Sequence, residues 1–152
     1  MYEVRPAMPR DTQQIAKLLF SAIEELYPDR RQKSIFRYEL QVASWVANHK
    51  IDVIVVTYNE AIVGFVVGTY DNFYNLLKDY YFVPLIYVTP AKRKSRAAYK
   101  LYEWLANRAA ELNCVVEAIA LNEETVTNSR RFGARVIGSL VSTSQFIKEK
   151  HG

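Results

Sequence analysis

The 152-residue sequence predicts a mixed α/β domain of six to seven strands and about four helices, and three observations carry that prediction. First, β-branched runs alternate with segments whose apolar residues recur at helical spacing, in the order β-α-α-β-β-β-α-β-α-β, with one or two strands at the end. Second, the cations of Lys92-Arg93-Lys94-Ser95-Arg96 join an apolar strand to an amphipathic helix. Third, the chain is long enough to bury a full core and shows no linker, repeat or low-complexity stretch. Residues 1–152 therefore read as one domain.

Tyr2 to Pro6 forms a short strand. Asp11 followed by Gln14 has capping-box spacing and opens a helix to about Tyr27, with Ile15, Leu18, Leu19, Ala22, Ile23 and Leu26 in one stripe. Pro28-Asp29 ends it. A second helix, about Gln32 to Asn48, carries Phe36, Leu40, Ala43 and Ala47 on one face. Ile51 to Tyr58 is a β-branched strand, Asn59-Glu60 a tight turn, and Ala61 to Tyr70 the returning partner of a hairpin. Asp71 to Asp79 is a loop rich in Asn and aromatic residues. Tyr80 to Val88 is the next strand, and Pro84 within it cannot donate to a ladder. A bulge or a locally unpaired edge is expected there.

The following helix runs from Ala97 to Leu112 and packs through Ala98, Leu101, Tyr102, Leu105, Ala109 and Leu112. Cys114 to Leu121 is a buried strand. Asn122 to Phe132 is a loop with a short helix, Gly133 ends it, and Ala134 to Ile147 holds the last strands.

Composition narrows the class. Half the residues are hydrophobic, which marks a globular chain. A net charge of +4 and a pI near 9.1 admit anionic partners but are too mild to require nucleic acid. The single Cys114 excludes an internal disulfide and fits a reducing compartment. No apolar run approaches the roughly 20 residues of a membrane span, and Met1 to Arg5 lacks the apolar segment of a signal peptide. A soluble cytoplasmic protein is expected, with no membrane partner. His49, His151 and Cys114 are too scattered to form a metal site.

The turn from Val88 to Ala98 carries the chemistry. A helix N-terminus offers unpaired N–H groups and the positive end of the dipole, and four cations lie beside it. Such a cluster is often only a solvated turn, but its position between strand and helix favours an anion, best of all the phosphates of a cofactor.

These spacings resemble the GNAT superfamily of acyl-CoA N-acyltransferases along essentially the whole chain. There the fourth strand leads into a loop Arg/Gln-x-x-Gly-x-Gly/Ala that holds the pyrophosphate of coenzyme A. The loop here reads Arg93-Lys94-Ser95-Arg96-Ala97-Ala98 after Val88-x-Pro90, with Arg96 in place of the middle glycine. Its Arg-Lys-Ser-x-Ala-Ala form is similar to that of degenerate, bacteriophage-like members. Arg5-x-Ala7, Pro9-x-Asp11 and the hairpin Glu60-Ala61-Ile62-Val63-Gly64-Phe65 also resemble family segments. Asn122 matches, whereas Ser129 stands at the usual tyrosine and Ala134 at the usual phenylalanine.

The resemblance implies a central, mostly antiparallel twisted sheet and a GNAT-like fold. It implies acetyl-CoA, or another acyl-CoA, as cofactor. Tyr87, Val88, Arg93, Lys94, Ser95, Arg96, Ala97, Ala98 and Asn122 would bind it, with the Tyr87 and Val88 amides facing the thioester carbonyl and the Arg96 guanidinium gripping phosphate. Ser129 would face the leaving sulfur. It is a far weaker acid than a tyrosine. Phe82, Pro84 and Ile86 supply no carboxylate base, and Glu24 or Glu25 are remote candidates. Tyr70, Phe73, Tyr74, Tyr80 and Tyr81 could line an acceptor groove or a partner patch. The first reading is transfer of an acetyl group to a primary amine, on a small molecule or a protein, by a monomer or a homodimer. The alternatives are a catalytically weak or inactive interaction module of this fold and, least favoured, a small nucleic-acid-binding domain.

Overall fold

β1 (Tyr2–Pro6), α1 (Thr12–Leu26), α2 (Ile35–Ala47), β2 (Ile51–Tyr58), β3 (Ala61–Thr69), β4 (Tyr80–Val88), α3 (Arg96–Leu112) and β5 (Val115–Ala118) follow one another along the chain. The structure is a computed structural model that describes residues 1–28, 34–70, 80–118, 127, 130 and 131. Met1–Ala118 forms one compact unit and Ile119–Gly152 a second. In the second, Thr127, Arg130 and Arg131 are helical and exposed. Asn122, Ser129, Gly133 and the last strands expected over 134–147 lie outside the described residues, as do Phe73, Tyr74 and the basic residues Arg30, Arg31 and Lys33.

The five strands form one sheet in the order β1-β2-β3-β4-β5. β1 to β4 pair antiparallel, and β5 lies parallel to β4. A parallel pair needs a crossover, which α3 provides. The β2–β3 hairpin turns on Asn59 (φ 49°) and Glu60 (φ 73°). Two successive left-handed residues match the twist of the flanking strands.

Helices cover both faces of the sheet. Ile15 and Leu19 of α1 and Tyr38 and Val42 of α2 pack on Val53, Val55, Phe65 and Tyr87. On the other face Leu101 and Leu105 of α3 pack on Ile54, Val56, Val66, Tyr81, Val83 and Val88. Burial on both sides explains why β2 reads as a nearly continuous apolar run.

The structure corrects three local expectations. In α2 the buried residues are Tyr38 and Val42, while Phe36 and Leu40 are 59% and 56% exposed and Ala43 and Ala47 also face solvent. The helix carries two apolar stripes, and the one containing Tyr38, Val42, Trp45 and Val46 faces the core. Asp11 does not cap α1 through its side chain. Its buried carboxylate accepts from the Met8 N–H at 2.7 Å and takes both arms of Arg5 at 2.7 and 3.0 Å, which holds it below the usual carboxylate range. Gln14 Oε1 accepts instead from the Ile62 N–H at 3.4 Å. Finally, the described part of the expected Cys114 to Leu121 strand is only half-buried, with Val115 67% exposed.

Candidate functional site

β4 bends where its proline predicts. The pairing with β3 jumps from Val67↔Leu85 to Thr69↔Phe82, so Val83 and Pro84 together oppose Gly68 in a bulge. β5 pairs with Tyr80 to Val83. Beyond the bulge, among the described residues, Leu85 to Val88 pair with β3 alone.

The Thr89 N–H donates to the Val63 carbonyl at 2.9 Å, beside the pair Gly64↔Val88. In an antiparallel ladder that bond marks Gly64↔Val88 as a non-hydrogen-bonded pair, so the N–H and C=O of Val88 both point away from β3. Alternation turns the Tyr87 N–H toward its partner Phe65 and the Ile86 N–H outward. Of the two amides expected to face a thioester, that of Val88 thus points away from β3 and that of Tyr87 toward it, while the Ile86 amide also points outward. Gly64 makes the strands' close approach possible. A Cβ there would lie 2.8 Å from the Tyr87 carbonyl oxygen and 3.0 Å from Val56 Cγ1 and Val88 Cγ2.

The turn after β4 separates the expected cations into distinct roles. Pro90–Lys92 is a 3-10 turn. Lys92 Nζ lies 3.9 Å from the centroid of the Tyr58 ring, a cation–π contact. Arg93 turns inward: Nη1 and Nη2 donate to the two carboxylate oxygens of Glu25 at 2.7 and 2.5 Å, and Nε donates to the Val88 carbonyl at 3.0 Å. Ser95 is the N-cap of α3. Its Oγ accepts from the Ala97 N–H at 3.2 Å and donates to the Lys92 carbonyl. Helix geometry leaves the Arg96 and Ala98 N–H groups without intrahelical partners. Lys94 and Arg96 are exposed, the latter 6.0 Å from the Tyr99 ring centroid.

The Arg93 side chain is engaged by Glu25 of α1, and the exposed cations at the helix start are Lys94 and Arg96. Glu25 is also reassigned. Arg93 holds its carboxyl below the usual range, which makes it a poor proton acceptor. Burial, then the Glu25 charge, pushes the Tyr87 phenol up. Tyr81, an expected groove residue, is fully buried and donates to Asp52 at 2.7 Å, while Arg108 Nε donates to the same oxygen at 3.1 Å. It packs over Gly68, where a Cβ would lie 2.4 Å from its ring. A cavity of about 360 Å³ lies elsewhere, between the end of β1, the start of β2, the end of α2 and α3, with His49, Asp52, Trp104, Arg108 and Glu111 in its wall. Among the described residues no cluster of three His, Cys, Asp or Glu could hold a metal, and no helix is long and apolar enough to cross a membrane.

A bulged fourth strand with an outward amide, a parallel fifth strand beyond it and a basic helix start define an acyltransferase-type α/β domain. The chain belongs to the Acetyltransferase (GNAT) family, whose sequence profile matches residues 12–138. Members of this family use acyl-CoA and act on amine acceptors. Among solved structures it is similar to a ribosomal-protein-alanine N-acetyltransferase from Brucella melitensis biovar Abortus 2308, at 20% identity over 93% of this chain and 97% of that one, with a TM-score of 0.71. A predicted acetyltransferase with acetyl-CoA from Clostridium acetobutylicum matches at 14% identity over the full length of both chains, TM-score 0.75. A transcriptional regulator from Bacillus halodurans C-125 matches at 17% identity over 93% and 98%, TM-score 0.76. At these identities the likeness is one of fold. No curated protein sequence matches the chain.

Proposed function

We propose that this protein is an acetyl-CoA-dependent N-acetyltransferase that acylates a primary amine. The observation that supports the reading is the outward Val88 amide, on the stretch of β4 that among the described residues pairs with β3 alone and leads through a 3-10 turn to the start of α3. Bound acetyl-CoA would supply an activated thioester. The Val88 N–H donates to the thioester carbonyl oxygen and stabilises the charge that grows there. The Arg96 and Ala98 amides, with the Lys94 and Arg96 side chains, meet the pyrophosphate, and Ser95 fixes the first turn that presents them. The family resemblance assigns Asn122 to the cofactor arm and Ser129 to the leaving sulfur.

With no carboxylate on the cofactor stretch of β4 and Glu25 occupied by Arg93, the amine loses its proton to solvent. General acid–base catalysis supplies about 10²–10⁴-fold, so its loss slows transfer while proximity still operates. The occupied Arg93 also favours a second reading, an interaction module that keeps the fold and not the cofactor. Calorimetric and thermal titration with acetyl-CoA separates the two. At 100-fold over its dissociation constant acetyl-CoA should stabilise the protein by about 2.7 kcal/mol, raising Tm by roughly 5–10 °C. No heat and no shift at millimolar acetyl-CoA, with folded protein, would leave the interaction module.

A further inference from the structure

We propose that the cavity at the start of β2 is a second ligand site, and that it takes a small zwitterion with a carboxylate and an ammonium group, as a free α-amino acid has. The cavity lies within the Met1–Ala118 unit, and the proposal stands independently of the acetyl-transfer reading. β2 and β4 both run antiparallel to β3, so the start of β2 and the end of β4 are at opposite ends of the sheet. α3 spans that distance. Arg96 at its start and Arg108 near its end are about 18 Å apart along the helix, at 1.5 Å per residue.

Charges of both signs are set into the cavity wall. Asp52 Oδ2 accepts from the Tyr81 phenol at 2.7 Å and from Arg108 Nε at 3.1 Å, and Arg108 Nη1 reaches Glu111 at 3.5 Å. The Tyr81 anchor is fully buried and packs over Gly68. Burial, then the bond to Asp52, pushes its phenol up, so it stays a donor. Asp52 is therefore held from the core side and not by its ion pair alone. Among the described residues Asp52 Oδ1, Arg108 Nη2 and the Trp104 indole N–H have no hydrogen-bond partner, and all three residues line the cavity. A ligand that is only an anion meets the Asp52 carboxylate beside its cation, and one that is only a cation meets the Arg108 guanidinium. A zwitterion gives each charge its opposite: the carboxylate accepts from Arg108 and the indole, and the ammonium donates to Asp52 Oδ1. Pro6, Val46 and Ile51 supply apolar wall for the rest of the molecule, and a volume of about 360 Å³ is that of a small-molecule site.

The test titrates the protein with each of the common L-amino acids up to millimolar concentration. It is read by Trp104 emission in Trp45→Phe protein and by calorimetry on wild type, which needs no substitution. For every amino acid that binds, its α-amide and its deamino acid are titrated as well. At least one amino acid should bind saturably and move the Trp104 emission. Both of its analogues should bind about 10–100-fold more weakly, the loss of a hydrogen bond to a charged group. Asp52→Asn keeps the side chain's shape and an acceptor for Tyr81, and should erase the preference for the amino acid over its deamino acid. Arg108→Gln should erase the preference over its amide. Heat that both variants leave unchanged, or binding that leaves Trp104 emission still, would put the amino acid elsewhere on the protein and overturn the proposal. So would analogues that bind as tightly as their parent, or no saturable binding by any amino acid. The analogue series on wild type decides the matter even where a variant fails to fold, and none of these outcomes alters the result of the acetyl-CoA titration.

Discussion

At the scale of single residues, a few side chains do what their neighbours in sequence do not reveal. Gly64 is the clearest. Its missing Cβ lets β3 approach β4 at Val88, and a methyl there would meet a backbone oxygen, which cannot step aside as a flexible side chain can. Gly64→Ala should cost about 1–3 kcal/mol by overpacking. Urea denaturation measures this, and an unchanged midpoint would mean the two strands separate there at no cost. The importance of this glycine was legible as a family spacing, but its reason required the partner strand. Arg93 was legible as a cation at a helix start and not as the partner of Glu25, because nothing local encodes a contact across 68 positions.

Elements were legible where their signals are local. The β2–β3 hairpin follows from a β-branched run, a two-residue turn and a return run. The bulge follows from Pro84 alone. α2 was harder to orient because helical periodicity names a face without saying which way it looks, and α2 has two apolar stripes. Tertiary packing chose the stripe bearing Tyr38, whose ring meets Phe20 edge-on at 5.6 Å. The two stripes should therefore respond unequally to truncation. Val42 is fully buried, so Val42→Ala should cost about 2 kcal/mol. Leu40 is 56% exposed, so Leu40→Ala should stay within about 0.5 kcal/mol, as exposed substitutions do. Equal losses in thermal or urea melts would show that the exposed stripe is covered in solution.

Across the whole Met1–Ala118 unit, one sheet separates two apolar layers and lends strands to both. β2, for example, places Val53 and Val55 in one layer and Ile54 and Val56 in the other. The chain has two tryptophans, and they fall one to each layer: Trp45 on α2, and Trp104 on α3 with its ring centroid 6.5 Å from that of Tyr81. Nature has thus put a separate optical reporter on each side of the sheet. With Trp104→Phe the fluorescence follows the first layer, and with Trp45→Phe it follows the second. Because the same strands line both, the two emission transitions in urea should coincide once each variant's own stability is allowed for. A gap between them would mean that one layer melts while the other still holds its light.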